Sequence, residues 1–525
     1  MPIKPALSAG LLLSLALGGP LKAADAPLSA IDWLSKSVTT PAGPVGKRQP
    51  NWLNEPPVAS GGALPEAVAT TSLDKPALDA IGLISPEVSG LPADLWGAGL
   101  TEEIAAALTR SRAELLPAMQ QLLLTMLLAE AQAPIDNGNR GLLLLARVDK
   151  LMALGALEQA KALLDIAGPV SPELFRRTFD AAILTGDENT ACQQLEAAPG
   201  LAPTLPTRVF CLARGGEWDA AALTLNTARA LGQVSPDQAD LLSRFLDPEL
   251  YEEEALPALP NPVTPLDWKI YEAIGETLPT SALPVAFAYA ELSPNAGWKA
   301  QLEAAERLTR AGTIAPNVLY GLYTERRAAA SGGVWERVAH FQSFDTAMAS
   351  GNLSQIEAAL PAVWQSVQEA EIEVPFAFLY GERLIELPLS PEAAKIAAKI
   401  ALLSPKFKEI ALATPPALQV ALEDPQIAFL SAIARGRGEG ATPADRLSRA
   451  LLPAFINPTP SKEASQLLTD NRLGEAILQA IEEIDQGLHG DLSRVTKGLS
   501  LLRLVGLEAM ARRIAIEVVV LERRG

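Results

Sequence analysis

One spacing constrains this chain more than any other. Gly155-Ala-Leu-Glu-Gln-Ala160, Gly186-Asp-Glu-Asn-Thr-Ala191 and Gly216-Glu-Trp-Asp-Ala-Ala221 begin 31 and 30 residues apart. Each sets Ala five positions and Leu nine positions after its glycine, the leucines being Leu164, Leu195 and Leu225. A second apolar stretch precedes each unit, at 142–154, 173–184 and 205–214. Glycine reaches the left-handed backbone region that ends a helix, acidic residues just after it favour the next helix N-terminus, and a small alanine lets two helices approach closely. Gly506-Leu-Glu-Ala-Met-Ala511 repeats the turn with Ala515 in place of the leucine, and Gly351-Asn-Leu-Ser-Gln-Ile356 is a looser copy with Leu360. The period predicts an all-α fold of degenerate tetratricopeptide-like helix-turn-helix repeats stacked into an α-solenoid, without most of that family's large aromatic positions.

Composition agrees. The 525 residues are 49% hydrophobic but only 5% aromatic, and the apolar share is mostly Ala and Leu, which favours helix over sheet. Lys and Arg number 43 against 61 Asp and Glu, for a net charge of −18, with no basic patch to offset it. Nucleic acid is therefore not an expected partner.

The first 24 residues read as a signal peptide. Lys4 precedes the apolar run 6–17, Gly18-Gly19-Pro20 breaks it, and Ala23-Ala24 offers a cleavage point. No later stretch is long and apolar enough to span a membrane, since 514–521 is interrupted by Glu517. Export to the periplasm of a Gram-negative bacterium is the expectation.

Residues 25–100 are expected to form a proline- and glycine-rich tether broken by apolar islands. Trp33-Leu34 and Trp52-Leu53 are two such islands, and Leu91 to Trp96 closes the segment. A tryptophan there serves either as an anchor for a partner's groove or as a plug on the parent body. Helical repeats are expected over 101–255, 266–456 and 461–525, with proline-rich joints at 256–265 and 457–460.

Little enzymatic chemistry is available. Cys192 and Cys211 are the only cysteines, and folding the chain about 198–203 brings them level on neighbouring helices, so a disulfide is expected. His340 and His489 lie far from them and from each other; His340 reads as a core or groove residue and His489 as a turn residue. No serine elbow, phosphate loop or His-Glu-x-x-His occurs. Glu482, Glu483 and Asp485 read as a solvated helix face. Trp218, Trp268, Trp298, Trp335 and Trp364 read mainly as packing between helices, and the acidic run 252–254 as a solvated helix end. No catalytic residue, metal or cofactor is expected.

Ser29-Ala-Ile-Asp-Trp-Leu34, Ile81-Gly-Leu-Ile84, Gly90-Leu-Pro-Ala-Asp-Leu-Trp96 and Phe210-Cys-Leu-Ala-Arg-Gly-Gly216 together resemble a group of exported helical proteins of alphaproteobacteria, some of which bear an antifreeze-like label. The resemblance implies secretion and a helical body and brings no catalytic residues. The regular Thr arrays of ice-binding repeats are missing. In layout alone the chain is also similar to periplasmic helical proteins that support flagellar motors. The expected function is thus a non-enzymatic periplasmic scaffold or adaptor for a protein partner in the cell envelope, flagellar motor components among the candidates. The alternatives are an enzyme of envelope or peptidoglycan metabolism with an unrecognised carboxylate site, and a secreted ice- or surface-interacting protein.

Overall fold

Glycine sets the turns. The computed structural model describes residues 77–138, 140–251, 256–328 and 330–522, all within Pro50–Gly525, the second of two units into which the chain divides. Gly155, Gly186, Gly216, Gly351 and Gly506 all take left-handed φ, from +68° to +88°. At four of them the next residue donates back across the turn, as from Ala156 N to Leu151 O (2.8 Å), Asp187 N to Ala182 O (2.8 Å), Glu217 N to Leu212 O (2.9 Å) and Leu507 N to Leu502 O (2.8 Å). These bonds satisfy carbonyls that a helix end otherwise strands. The alanines and leucines five and nine positions on are buried at every strict copy. The same closure recurs at Gly312 and Gly436, and at Glu371 and Asn471, where a non-glycine residue adopts positive φ.

Helices follow one another almost without interruption. They are α1 (Thr101–Arg110), α2 (Pro117–Leu128), α3 (Leu142–Ala153), α4 (Leu157–Ala167), α5 (Pro172–Thr185), α6 (Glu188–Ala197), α7 (Leu205–Arg214), α8 (Trp218–Ala230), α9 (Pro236–Leu246) and α10 (Pro265–Ala273). After a 3-10 stretch at Val285–Leu292 come α11 (Trp298–Arg310), α12 (Pro316–Glu325), α13 (Val334–Ser350), α14 (Leu353–Glu369), α15 (Glu373–Ile385) and α16 (Pro391–Leu403). Then follow α17 (Phe407–Ala413), α18 (Pro416–Ala421), α19 (Pro425–Ala434), α20 (Arg446–Ile456), α21 (Lys462–Thr469), α22 (Leu473–Leu488), α23 (Leu492–Leu504) and α24 (Glu508–Val520). Among the described residues there is no strand, only an isolated parallel bridge between Ile84 and Ala129.

Consecutive helices pack in pairs from α3 to α8, and first helices of neighbouring pairs also touch, α3 with α5 and α7 with α9. Two large apolar cores result, beside a small cluster of Ala288, Ala304 and Leu308. The smaller joins α5 to α10 through Phe175, Phe179, Phe210 and Tyr271 and takes in both cysteines. The larger gathers α1 to α4 with α11 to α24. At its centre α16 buries Ala393, Ala394, Ala397, Ala398 and Ala401 and touches α14, α15, α17, α18, α19 and α24. A helix surrounded on so many sides has to be apolar nearly all round, and alanine keeps those neighbours close.

Two expectations need correction. Residues 77–100 belong to the core: Ile81, Leu91, Leu95 and Trp96 are buried. Gln132 N donates to Ala93 O (2.7 Å), Ala98 N to Asn471 O (2.9 Å) and Gly474 N to Leu95 O (2.7 Å), which stitches the segment to both early and late elements. Pro86 occupies the first position of the short helix Pro86–Ser89, where a missing N–H costs nothing, so counting prolines overstated the tether. Second, the ends of the array meet. α2 packs on α24, with Ala118 N donating to Glu517 Oε2 (2.7 Å), and α1 packs on α22. A strictly one-dimensional array has no such contacts, since each repeat touches only its neighbours.

Candidate functional site

Two clefts lie between these helices, and they differ in chemistry. The first has a volume of about 730 Å³ and runs between α1 and α22. Glu102, Glu103, Ala106 and Arg110 face it from α1, while Glu475, Leu478, Glu482 and Asp485 face it from α22, at the spacing of one helical face on each side. Most of its charges already have partners. Arg472 binds Glu103 across the cleft and Glu475 on its own side, one turn into α22. Arg112 Nη1 lies 3.6 Å from Asp485 Oδ2 and 3.2 Å from His489 Nε2. His489 Nδ1 is 2.8 Å from Asp485 O, so the ring bridges that carbonyl and Arg112. Burial raises the Asp485 carboxyl above its ordinary range, with Arg112 and His489 opposing the shift.

The solvated-face expectation fails here: Glu483 and Asp485 are 4% and 7% exposed. α22 is enclosed by α1, α2, α21 and α23, so even its charged positions lose water. His489 is the C-cap of α22, as a turn residue should be. His340 is half-buried, with Nδ1 2.8 Å from Ser366 Oγ.

The second cleft, of about 540 Å³, is built by first helices of successive units. Arg176 and Asp180 come from α5, Thr207 from α7, Gln238 and Leu241 from α9, and Asp267 and Tyr271 from α10. α10 follows a proline-rich stretch and touches both α9 and α5. Pro257 to Pro262 of that stretch form one wall. Its fixed point is Tyr271, whose hydroxyl donates to Pro257 O at 3.2 Å. The helix ends beside it are locally closed: Thr204 accepts from Thr207 N, Ser235 from Gln238 N, and Thr264 from Asp267 N in a reciprocal capping box. Burial raises the Asp267 carboxyl, against the two hydrogen bonds from Thr264.

Cys192 and Cys211 sit at disulfide distance on α6 and α7, with sulfurs 2.01 Å and Cα atoms 5.0 Å apart. They join the two sides of the loop at 198–203. Trp268, Trp298 and Trp364 are buried, in line with a packing role, and Trp335 lies against Trp298 at 5.1 Å between ring centroids. Trp218 alone of the five is half exposed. The partner-binding candidates Trp33, Leu34, Trp52 and Leu53, and the acidic run 252–254, lie outside the described residues. Among the described residues no group of His, Cys, Asp and Glu is arranged to hold a metal ion, and no helix is long and apolar enough to cross a membrane. Sequence reasoning missed both clefts, because each is assembled by contacts between elements and not by a local pattern. No family model, no curated protein and no solved structure matches this chain.

Proposed function

We propose that this protein is an exported, non-enzymatic helical-repeat scaffold that holds a protein partner in the periplasm, supporting a motility or cell-envelope machine. The observation that carries this reading is the groove along α5, α7, α9 and α10, a surface made by repeating first helices and lined with side chains able to hydrogen-bond a polypeptide. The pairing of helices from α3 to α8 and the cysteine pair at disulfide distance support a tetratricopeptide-like solenoid segment in an oxidising compartment.

An envelope enzyme is the second reading, and the facing carboxylates of the α1–α22 cleft are what favour it. Arginines engage three of the five, Glu103, Glu475 and Asp485, which suits an electrostatic fastening between early and late helices better than an acid/base pair. In the scaffold reading the Trp33 and Trp52 islands dock a partner. Changing both to Ala is then expected to abolish co-purification of that partner from cells while moving the melting temperature by no more than about 1 °C. A large fall in melting temperature would instead make them plugs on the protein's own body.

A further inference from the structure

Between α12 and α13 the chain runs Arg326-Arg-Ala-Ala-Ala-Ser-Gly-Gly333. Its side chains beyond the two arginines are too small to pack well. Arg326, Arg327 and 330–333 are exposed, and Ala328 is half-buried. Among its described residues no backbone N–H donates a hydrogen bond to another backbone group, so nothing ties the loop into a helix end. Gly332 and Gly333 take φ of +83° and +56°. Exposed loops of small residues are where proteases cut, because several residues must be drawn out of the surface into the enzyme.

The two arginines differ. Arg326 O accepts from Gln342 Nε2 at 2.6 Å, and its guanidinium meets Glu325 at 3.0 Å. Arg327 makes no hydrogen bond or ion pair among the described residues. Other basic stretches near helix ends are held in place. Lys150 binds the Ser111 and Arg112 carbonyls, while Arg437 N donates to Ala432 O (2.9 Å) and Arg472 N to Leu467 O (2.9 Å).

We propose that Arg327–Ala328 is a processing site for a protease whose specificity pocket takes arginine, and that the cut protein stays assembled as two chains. An acidic residue at the base of such a pocket selects an arginine side chain that is free to leave the surface. Water adds across the peptide bond, leaving a carboxylate on Arg327 and an ammonium on Ala328. The glycines downstream supply the slack that draws Ala328 out. Both sides of the cut stay joined. Glu306 of α11 accepts from Tyr323 Oη (2.5 Å) and from Arg337 Nε of α13 (2.9 Å), and Tyr320 of α12 donates to Asp345 of α13 (3.0 Å). The far ends of the two pieces meet as well, α2 on α24 and α1 on α22. Cys192 and Cys211 both precede the cut, so this assembly is non-covalent. The processing site stands whether or not the groove holds a partner.

The test uses the full-length protein at a low ratio of trypsin. Within 77–522 the first cut should fall between Arg327 and Ala328, as located by mass spectrometry of the fragments. Arg326→Gln should leave that cut in place, and Arg327→Gln should slow cleavage of the loop about tenfold with an unchanged melting temperature. The nicked protein should elute from gel filtration with the intact chain. In cells that make the protein, a C-terminally tagged fragment beginning at Ala328 should accumulate, and should vanish in Arg327→Gln. A first cut elsewhere within 77–522, separation of the fragments, equal cleavage of Arg327→Gln, or no such fragment in cells would each overturn the proposal.

Discussion

At the scale of single residues, the least visible feature of the sequence is a pair of buried cations in α3. Arg147 is 1% exposed and donates to three backbone carbonyls: Leu127 O (2.7 Å), Ile81 O (2.6 Å) and Ala129 O (3.0 Å). Nearby Asp79 accepts from Leu144 N at 2.8 Å. Burial pushes the guanidinium down to about 10 while Asp79 opposes the shift, so Arg147 stays charged at neutral pH. Arg147→Met would orphan three carbonyls and leave Asp79 buried without its counter-charge. The expected loss is about 3–5 kcal/mol, read from urea unfolding. Lys150, one turn on and also buried, donates to the Ser111 carbonyl, and burial pushes it down to about 8. Its folded value lies below the unfolded one, so between roughly pH 8 and 10 the unfolded chain holds more protons and stability climbs with pH. That climb should reach roughly 2 kcal/mol between pH 7 and 9.5 and vanish in Lys150→Met, as checked by unfolding at both pH values. The sequence hides both residues because an Arg and a Lys among leucines look like the polar stripe of an amphipathic helix. Only the elements that fold over α3 turn that stripe inward. The glycines were legible for the opposite reason: a left-handed turn is a local demand that few other residues meet.

Among the elements, the segment before α1 fastens early helices to late ones. Trp96 packs on Gly474 at the start of α22, where an added Cβ would lie 2.5 Å from the indole ring. Gly474→Ala should cost about 1–3 kcal/mol through overpacking, and Trp96→Leu should recover part of that cost in the double variant. Additive losses in a thermal-melt cycle would mean that the two positions do not share this contact. Of the motifs singled out before α1, Gly90 to Trp96 reaches the late helices through Leu95 and Trp96, while Ile81 to Ile84 bonds to the end of α2 and the residues just after it. They are therefore explained by packing and say nothing direct about a partner. The cysteine pair was legible because its loop is short and its helices adjacent. The clasp was not, because its halves lie more than 370 positions apart.

On the scale of the whole molecule, the repeat spacing predicted the helical class and the turns but not the meeting of the first and last described helices. Local periodicity carries no information about where a chain returns. The α2–α24 and α1–α22 contacts depend on single residues such as Glu517, which receives Ala118 N, and Arg472, which joins Glu103 to Glu475. The groove has the same origin, since it forms where α10 packs on α5 as well as on α9. The claim that matters most is that this groove holds a protein partner, and in-cell photo-crosslinking tests it most directly. A photoreactive residue placed at Gln238, in the groove, should yield a discrete crosslinked product with one envelope protein, identified by mass spectrometry. The same residue at Leu223, exposed on α8 and outside the groove lining, should yield none. No product from Gln238, or the same products from both positions, would contradict the account.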